Sequence, residues 1–161
     1  MGYSNCMLTE ETKAPDFSAT DQFEKMHTLA DYAGRWLMLY FYPKDDTPGC
    51  TKEACAIRDA WADFADAGIS VLGVSKDSAK SHKKFSEKYS LPFPLLADEE
   101  KKILTAYQAL GEKTLYGRLH FGTLRITYLI NPEGIIAKAY PNVKPETHAK
   151  QILEDFKALS S

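Results

Sequence analysis

The sequence predicts an α/β fold, a central mixed sheet flanked by helices, and three observations carry that prediction. The run "WLMLYFY", Trp36 to Tyr42, is apolar without alternation, as expected of a strand buried on both faces. A helical stretch and a second apolar run, "ISVLGVS" from Ile69 to Ser75, follow it. Strand, helix and strand within about 40 residues make a βαβ unit, whose crossover is right-handed in about 98% of cases. Near the end of the chain "RITYLI" and "IIAKAY" flank "NPEG", which has Pro and Gly at the second and fourth positions that a type I turn favours. Those two runs read as an antiparallel hairpin.

The remaining elements follow in order. After Pro43 the chain turns, and Thr47 followed by Pro48 reads as an N-cap and first helical residue, because Pro lacks the amide that would be orphaned there. Ala54, Ile57, Trp61 and Phe64 then fall at helical spacing until Gly68 stops the helix. A helix from Ser78 to Tyr89 carries Ala79, Phe85 and Tyr89 on one face, and "FPLLAD" makes a short strand. A further helix near Glu99 to Leu110 aligns Ile103, Tyr107 and Leu110. The segment "GEKTLYGRLHFG", with glycines at 111, 117 and 122, reads as a loop long enough to cover a site. The last helix, Glu146 to Leu159, should bury Ala149, Ile152, Leu153, Phe156 and Leu159. No repeat, low-complexity stretch or linker divides the chain, and 161 residues with 44% hydrophobic content suit a single domain over 1–161.

Charge narrows the function classes. The formal net charge of −2 arises from 20 basic and 22 acidic residues, which leaves no footprint for nucleic acid or anionic lipid. The densest basic run, Lys76 to Lys88, is broken by Asp77 and Glu87 and reads as a solvated helix face. The N-terminal "MGYSNCMLTEETKAPDF" has no apolar signal core, and no stretch reaches the roughly 18 to 20 apolar residues of a membrane span. Gly2 does not open a myristoylation motif, because Cys6 stands where Ser or Thr is required. Three cysteines are too few, and odd in number, for a secreted disulfide framework, so a soluble, cytoplasmic protein is expected.

Two of those cysteines lie together in "YPKDDTPGCTKEACAIRD", Tyr42 to Asp59. Cys50 falls in the first helical turn, where unpaired backbone N–H groups and the positive end of the helix dipole favour thiolate, the nucleophilic form. It shares a stripe with Ala54, Ile57 and Trp61, so its sulfur should face the protein, whereas Cys55 lies off that stripe. On an ideal helix, residues five apart are rotated by about 140° and their Cα atoms lie about 8.6 Å apart. A disulfide needs about 4.4 to 6.8 Å, so pairing would require the first turns to unwind, which suits a transient bridge better than a staple. Two other readings stand beside this one. Both cysteines could be small core residues in an Ala-rich helix. Zinc would need a second Cys or His pair, and His27, His82, His120 and His148 are scattered. A thioredoxin-type Cys-x-x-Cys is absent, since four residues intervene.

The stretch "FYPKDDTPGCTKEACAIRD" closely resembles the active-site segment of peroxiredoxins, in particular the peroxiredoxin Q or bacterioferritin comigratory protein subfamily. Pro43, Thr47 and Cys50 carry the family's Pro-x-x-x-Thr-x-x-Cys motif, and Cys55 stands where the subfamily often has its resolving cysteine. "GTLRITYLI" resembles the family's Arg-Ser-Thr-Phe-Leu-Ile pattern and assigns its arginine to Arg125. "GEK" at 111–113 and "KAPDFSATD" extend the likeness over nearly the whole chain. Ile126 and Tyr128, where Ser and Phe are commoner, and the extra thiol Cys6 are the departures. The resemblance implies a thioredoxin-like fold with an N-terminal extension. It implies a monomeric peroxidase without metal or cofactor, reducing hydrogen peroxide and organic hydroperoxides. Cys50 would become a sulfenic acid, Cys55 would close an intramolecular disulfide, and thioredoxin or a similar dithiol would reopen it.

Within that reading each residue has a task. Cys50 attacks, and the first-turn amides with Arg125 donate to peroxide oxygens and lower the thiol pKa. The Thr47 hydroxyl bridges sulfur and substrate, and Pro43 shields the pocket. Asp45 and Asp46 would oppose a thiolate if they pointed inward, so both are expected to face solvent. Glu53 either holds Arg125 or is an ordinary exposed helical residue. Cys6 reads as a free thiol in a mobile terminus, a second resolving role being the alternative. A general thiol-disulfide oxidoreductase and a peroxide-sensing redox switch are the competing functions, and neither needs the donors Thr47 and Arg125.

Overall fold

A computed structural model describes residues 7–160; Cys6 lies outside them. Strands Ser18–Thr20 (β1) and Met26–Thr28 (β2) pair antiparallel ahead of the main sheet as the N-terminal extension. Trp36–Phe41 (β3) then enters the centre of a five-stranded sheet. Its side chains alternate between two cores: Met38 and Tyr40 pack on one face, Leu37, Leu39 and Phe41 on the other. An apolar run without alternation is what a strand covered on both sides requires.

The predicted helix behind the active-site turn forms as two, Pro48–Asp59 (α1) and Trp61–Ala67 (α2). Ala60, with ψ at 14° in place of the helical value of about −42°, separates them. Gly68, at φ 76°, ends α2 in the left-handed cap its sequence position foretells. Ile69–Ser75 (β4) runs parallel to β3, pairing Trp36 with Ile69 through Phe41 with Val74. Ser78 caps Ala79–Tyr89 (α3) by accepting from the Ser81 amide, and Leu95–Ala97 (β5) extends the sheet in parallel. The lysines of the 76–88 run are exposed as expected, but His82 in their midst is fully buried.

Two expectations fail next. The helix near residue 100 is only Lys102–Ala106 (α4), because Gln108 takes a left-handed conformation, φ 55°, and turns Leu110 into a strand. The expected loop is a β-hairpin of Leu110–Leu115 (β6) and Arg118–Thr123 (β7). Tyr116 and Gly117 both have positive φ, 54° and 76°, the conformation of a type I′ turn. Thr127–Ile130 (β8) and Ile136–Tyr140 (β9) form the predicted hairpin, with the Gly134 amide donating to Asn131 O. The sheet order is β5-β4-β3-β8-β9, with β8 antiparallel to β3, which makes it mixed and thioredoxin-like. His148–Ser160 (α5) buries Ala149, Ile152 and Phe156 beside Ala54 and Ile57 of α1, while Leu159 is exposed, against expectation. Among the described residues no helix is long and apolar enough to cross a membrane.

Candidate active site

The site forms where the end of β3, the start of α1 and the segment before β8 meet. Thr47 takes the extended N-cap conformation and its carbonyl accepts from Thr51 N–H at 2.8 Å, closing the first turn. Cys50 therefore sits one residue beyond Gly49 in that turn, 2% exposed, with its sulfur toward the core. Arg125 Nη2 donates to Cys50 Sγ at 3.3 Å. Cys50 and Cys55 are both free thiols, Cys55 half-buried off the Cys50 stripe.

Gly49, which the sequence reading passed over, makes this contact sterically available. A Cβ at 49 would lie 2.6 Å from Arg125 Nη2 and 3.2 Å from Cζ. The Pro-Gly-Cys order was the one signal for it.

Glu53 is buried, 1% exposed, which excludes the ordinary surface reading. Its Oε1 lies 3.5 Å from Arg125 Nη1, so the guanidinium bridges Cys50 on one nitrogen and Glu53 on another. Burial pushes the Glu53 carboxyl up to about 8, and the charge of Arg125 offsets that only in part. At neutral pH Glu53 is thus mostly protonated, and Arg125 keeps its charge for the sulfur. The Tyr40 hydroxyl, also buried, is pushed upward by burial and then by the charges of Glu53 and Cys50.

Thr47 is adjacent but its hydroxyl donates to Lys44 O at 2.9 Å rather than capping the helix or reaching the sulfur. A hydroxyl with its proton so engaged keeps lone pairs with which to accept. Pro43 is half-buried at the exit of β3.

Asp46 faces solvent as expected; Lys88 Nζ and the Tyr89 hydroxyl each donate to it at 2.8 Å and hold its carboxyl below the usual range. Asp45 corrects the expectation: it is 8% exposed and turned inward, onto partners other than Cys50. Tyr42 hydroxyl (2.6 Å), Ser81 Oγ (2.8 Å) and His82 Nδ1 (2.7 Å) converge on its carboxyl group, so its oxygens are engaged by the loop and α3. Asp45, Asp77 and His82 place three metal-capable atoms within 4.8 Å of one another. Asp77 Oδ2, however, already accepts from Asp45 N–H and Ser75 Oγ, and His82 Nε2 donates to Leu96 O. These contacts fit a hydrogen-bonded anchor for the active-site loop better than a cation.

A buried thiol in the first turn of a helix, accepting from an arginine on a thioredoxin-like sheet, defines a thiol-based redox enzyme. Comparison with known proteins narrows this class. The sequence profile of the AhpC/TSA family matches residues 11–139, and the chain belongs to that family. Peroxiredoxin Bcp of Bacillus subtilis is 42% identical over 148 residues, 92% of this chain and 94% of the relative. Peroxiredoxin Bcp of Xanthomonas campestris is 43% identical over 131 residues, 81% and 82% of the two chains. Among solved structures, one of the Xanthomonas campestris bacterioferritin comigratory protein, described for its alkyl peroxide reduction activity, superposes with a TM-score of 0.84 at 39% identity, covering 90% and 92% of the two chains. A cysteine mutant of Xylella fastidiosa PrxQ gives 0.83 at 34% identity over 100% of both. The chain is a thiol-dependent peroxidase of the peroxiredoxin type.

Proposed function

We propose that this peroxidase, one domain over 1–161, reduces hydrogen peroxide and organic hydroperoxides by an atypical two-cysteine cycle, as a cytoplasmic monomer. The Arg125 Nη2 contact on the buried Cys50 sulfur, 3.3 Å, is the observation that carries the assignment of Cys50 as attacking group. The Cys50 thiolate attacks one peroxide oxygen: an S–O bond forms, the O–O bond breaks, and the second oxygen leaves as hydroxide or alkoxide and takes up a proton. Arg125 and the first-turn amides stabilise charge developing on both oxygens, and Thr47 accepts from the peroxide O–H. Pro43 shields the pocket and Glu53 steadies Arg125 from behind.

The Cys55 thiolate then attacks the sulfenic sulfur, forming the S–S bond and releasing the sulfenic oxygen as water once protonated. The five-residue spacing on α1 supports a bridge that forms only as the first turns unwind. A dithiol of the thioredoxin kind reduces it by exchange and leaves oxidised.

The test is competition within one molecule. Fully reduced protein receives substoichiometric hydrogen peroxide, and Cys6, Cys50 and Cys55 are followed by peptide-mapped mass spectrometry. Cys50 should be consumed far faster than Cys6 and appear joined to Cys55. Equal rates at Cys50 and Cys6 would remove Cys50 from the role, and a fast Cys50 left as sulfinic acid would remove Cys55.

A further inference from the structure

We infer that the outward face of the β6–β7 hairpin is the docking surface for the dithiol protein that reduces this enzyme; this rests on the two-cysteine cycle proposed above. Leu119 and Phe121 alternate onto one face of β7, with Thr114 and Glu112 as their partners across the hairpin. Neither has an apolar cross-strand partner to pack on, and they are 70% and 71% exposed. Tyr116, at the turn, is 96% exposed. A soluble chain rarely groups large apolar side chains in water unless something covers them. The base of the hairpin is firmly built. Leu124 fills the space beside Gly111, where a Cβ would lie 3.0 Å from its Cδ1, and Lys113 Nζ donates to Thr123 O at 2.7 Å. That base leads straight to the site: Phe121 stands four residues before Arg125, so at most about 14 Å of chain separates the patch from the residue that touches Cys50.

The size of the patch selects its occupant. A stable dimer buries about 800 Å² from each partner, whereas encounters between redox proteins bury less than about 600 Å² each. Tyr116, Leu119 and Phe121 together offer about 400 Å². That is half of what a dimer of this chain needs, and it suits a partner that must arrive and leave in every turnover. Lys113, Arg118 and His120 lie on the opposite face of the hairpin, so the partner meets the patch with apolar groups beside its own reactive cysteine. From there a partner thiolate attacks one sulfur of the Cys50–Cys55 bridge, and the other sulfur leaves as thiolate and takes up a proton. The partner's second thiolate then attacks its own sulfur in the mixed disulfide. Both cysteines of this chain are left reduced and the partner carries the disulfide.

Steady-state peroxidase assays with thioredoxin, its reductase and NADPH compare wild type with L119T/F121T, in which threonine preserves the strand. The kcat/KM for thioredoxin should fall at least about tenfold, the loss expected when apolar anchors leave the centre of an interface. Oxidation of Cys50 by hydrogen peroxide, and reduction of the bridge by dithiothreitol, which is too small to need the patch, should keep their wild-type rates. An unchanged kcat/KM for thioredoxin would overturn the inference. So would an equal fall with dithiothreitol, which would mean that the hairpin acts on the site itself. Should L119T/F121T fold poorly, Y116N decides, because Asn-Gly is a preferred type I′ pair and keeps the turn while removing the most exposed ring. It should slow thioredoxin about threefold or more and leave dithiothreitol unaffected, and an unchanged rate with thioredoxin would be equally fatal. Sedimentation that finds a wild-type dimer abolished in L119T/F121T would give the face to a second copy instead. Failure of the underlying reading is distinct, since then the wild type itself would not turn over with thioredoxin.

Discussion

Arg125 reaches Cys50 only because residue 49 has no side chain. A methyl group there would stand 2.6 Å from Nη2, against the working end of a guanidinium already fixed on its other side by Glu53. G49A should therefore resemble loss of the arginine contact, lowering the second-order rate of Cys50 with peroxide by about a hundredfold, the usual cost of one preorganised donor. Stopped-flow oxidation of G49A beside R125A checks this; a near-normal rate in G49A would show that the arginine acts from elsewhere. Glu53 yields a second expectation. Its carboxyl is raised from 4.5 to about 8, so the folded state holds a proton that the unfolded state releases. Its contribution to stability is complete below about pH 4.5 and is lost as pH rises toward 8. Relative to E53Q, wild type should lose on the order of 3 kcal/mol between pH 5 and pH 8. Denaturant titrations at both pH values measure it, and parallel losses in the two proteins would contradict the burial argument.

At the scale of elements, the disulfide step depends on how much of the chain moves when Cys50 and Cys55 meet. The break at Ala60 separates α1 from α2, and Arg58 Nη1 donates to Tyr89 O at 2.7 Å, tying the end of α1 to the end of α3. Unwinding should therefore stay within residues 48–57. Hydrogen exchange should show lost amide protection there in the disulfide form and unchanged protection in α2 and α3; spreading into α2 would mean that the two helices move as one. That break was not legible in the sequence, where the apolar stripe runs through position 60 without interruption. The hairpin of β6 and β7 was missed for a related reason: its turn is Tyr-Gly, and only the structure shows Tyr116 accepting the left-handed conformation usually left to Asn, Asp or Gly. By contrast β3, β4, the β8–β9 hairpin and both ends of the α1–α2 stretch were legible, because apolar runs, an N-terminal Pro and a terminal Gly act locally.

For the whole molecule, the question is what holds the reactive loop against the sheet while α1 opens. The contact of Arg125 with Cys50 was legible through the family resemblance of the two segments that carry them, but the anchor was not, because its members are distant in sequence. Asp45, Ser81 and His82 come together through tertiary structure, and a Lys-Asp-Asp-Thr turn reads as exposed on composition alone. In the fold, Asp45 joins the loop to Tyr42 at the end of β3, to Ser81 and His82 of α3, and through its amide to Asp77 after β4. Two hydroxyl donors and the His82 Nδ1 converge on its two carboxyl oxygens. An asparagine of the same shape offers one carbonyl oxygen and sets an amide N–H₂ against a donor, so D45N leaves buried groups unpaired. Leaving a buried hydrogen-bonding group unpaired costs about 1 to 3 kcal/mol. In a chain of this size each kcal/mol moves Tm by roughly 2 to 4 °C, so calorimetry should find D45N melting about 6 °C lower. Because the Asp45 side chain is bound to Tyr42, Ser81 and His82 rather than to Cys50, the folded variant should still show Cys50 as its fast thiol at 25 °C. A Tm within a degree or two of wild type would mean that the loop is held by its backbone alone, and a slow Cys50 in folded D45N would mean that the anchor also sets the geometry of the first turn.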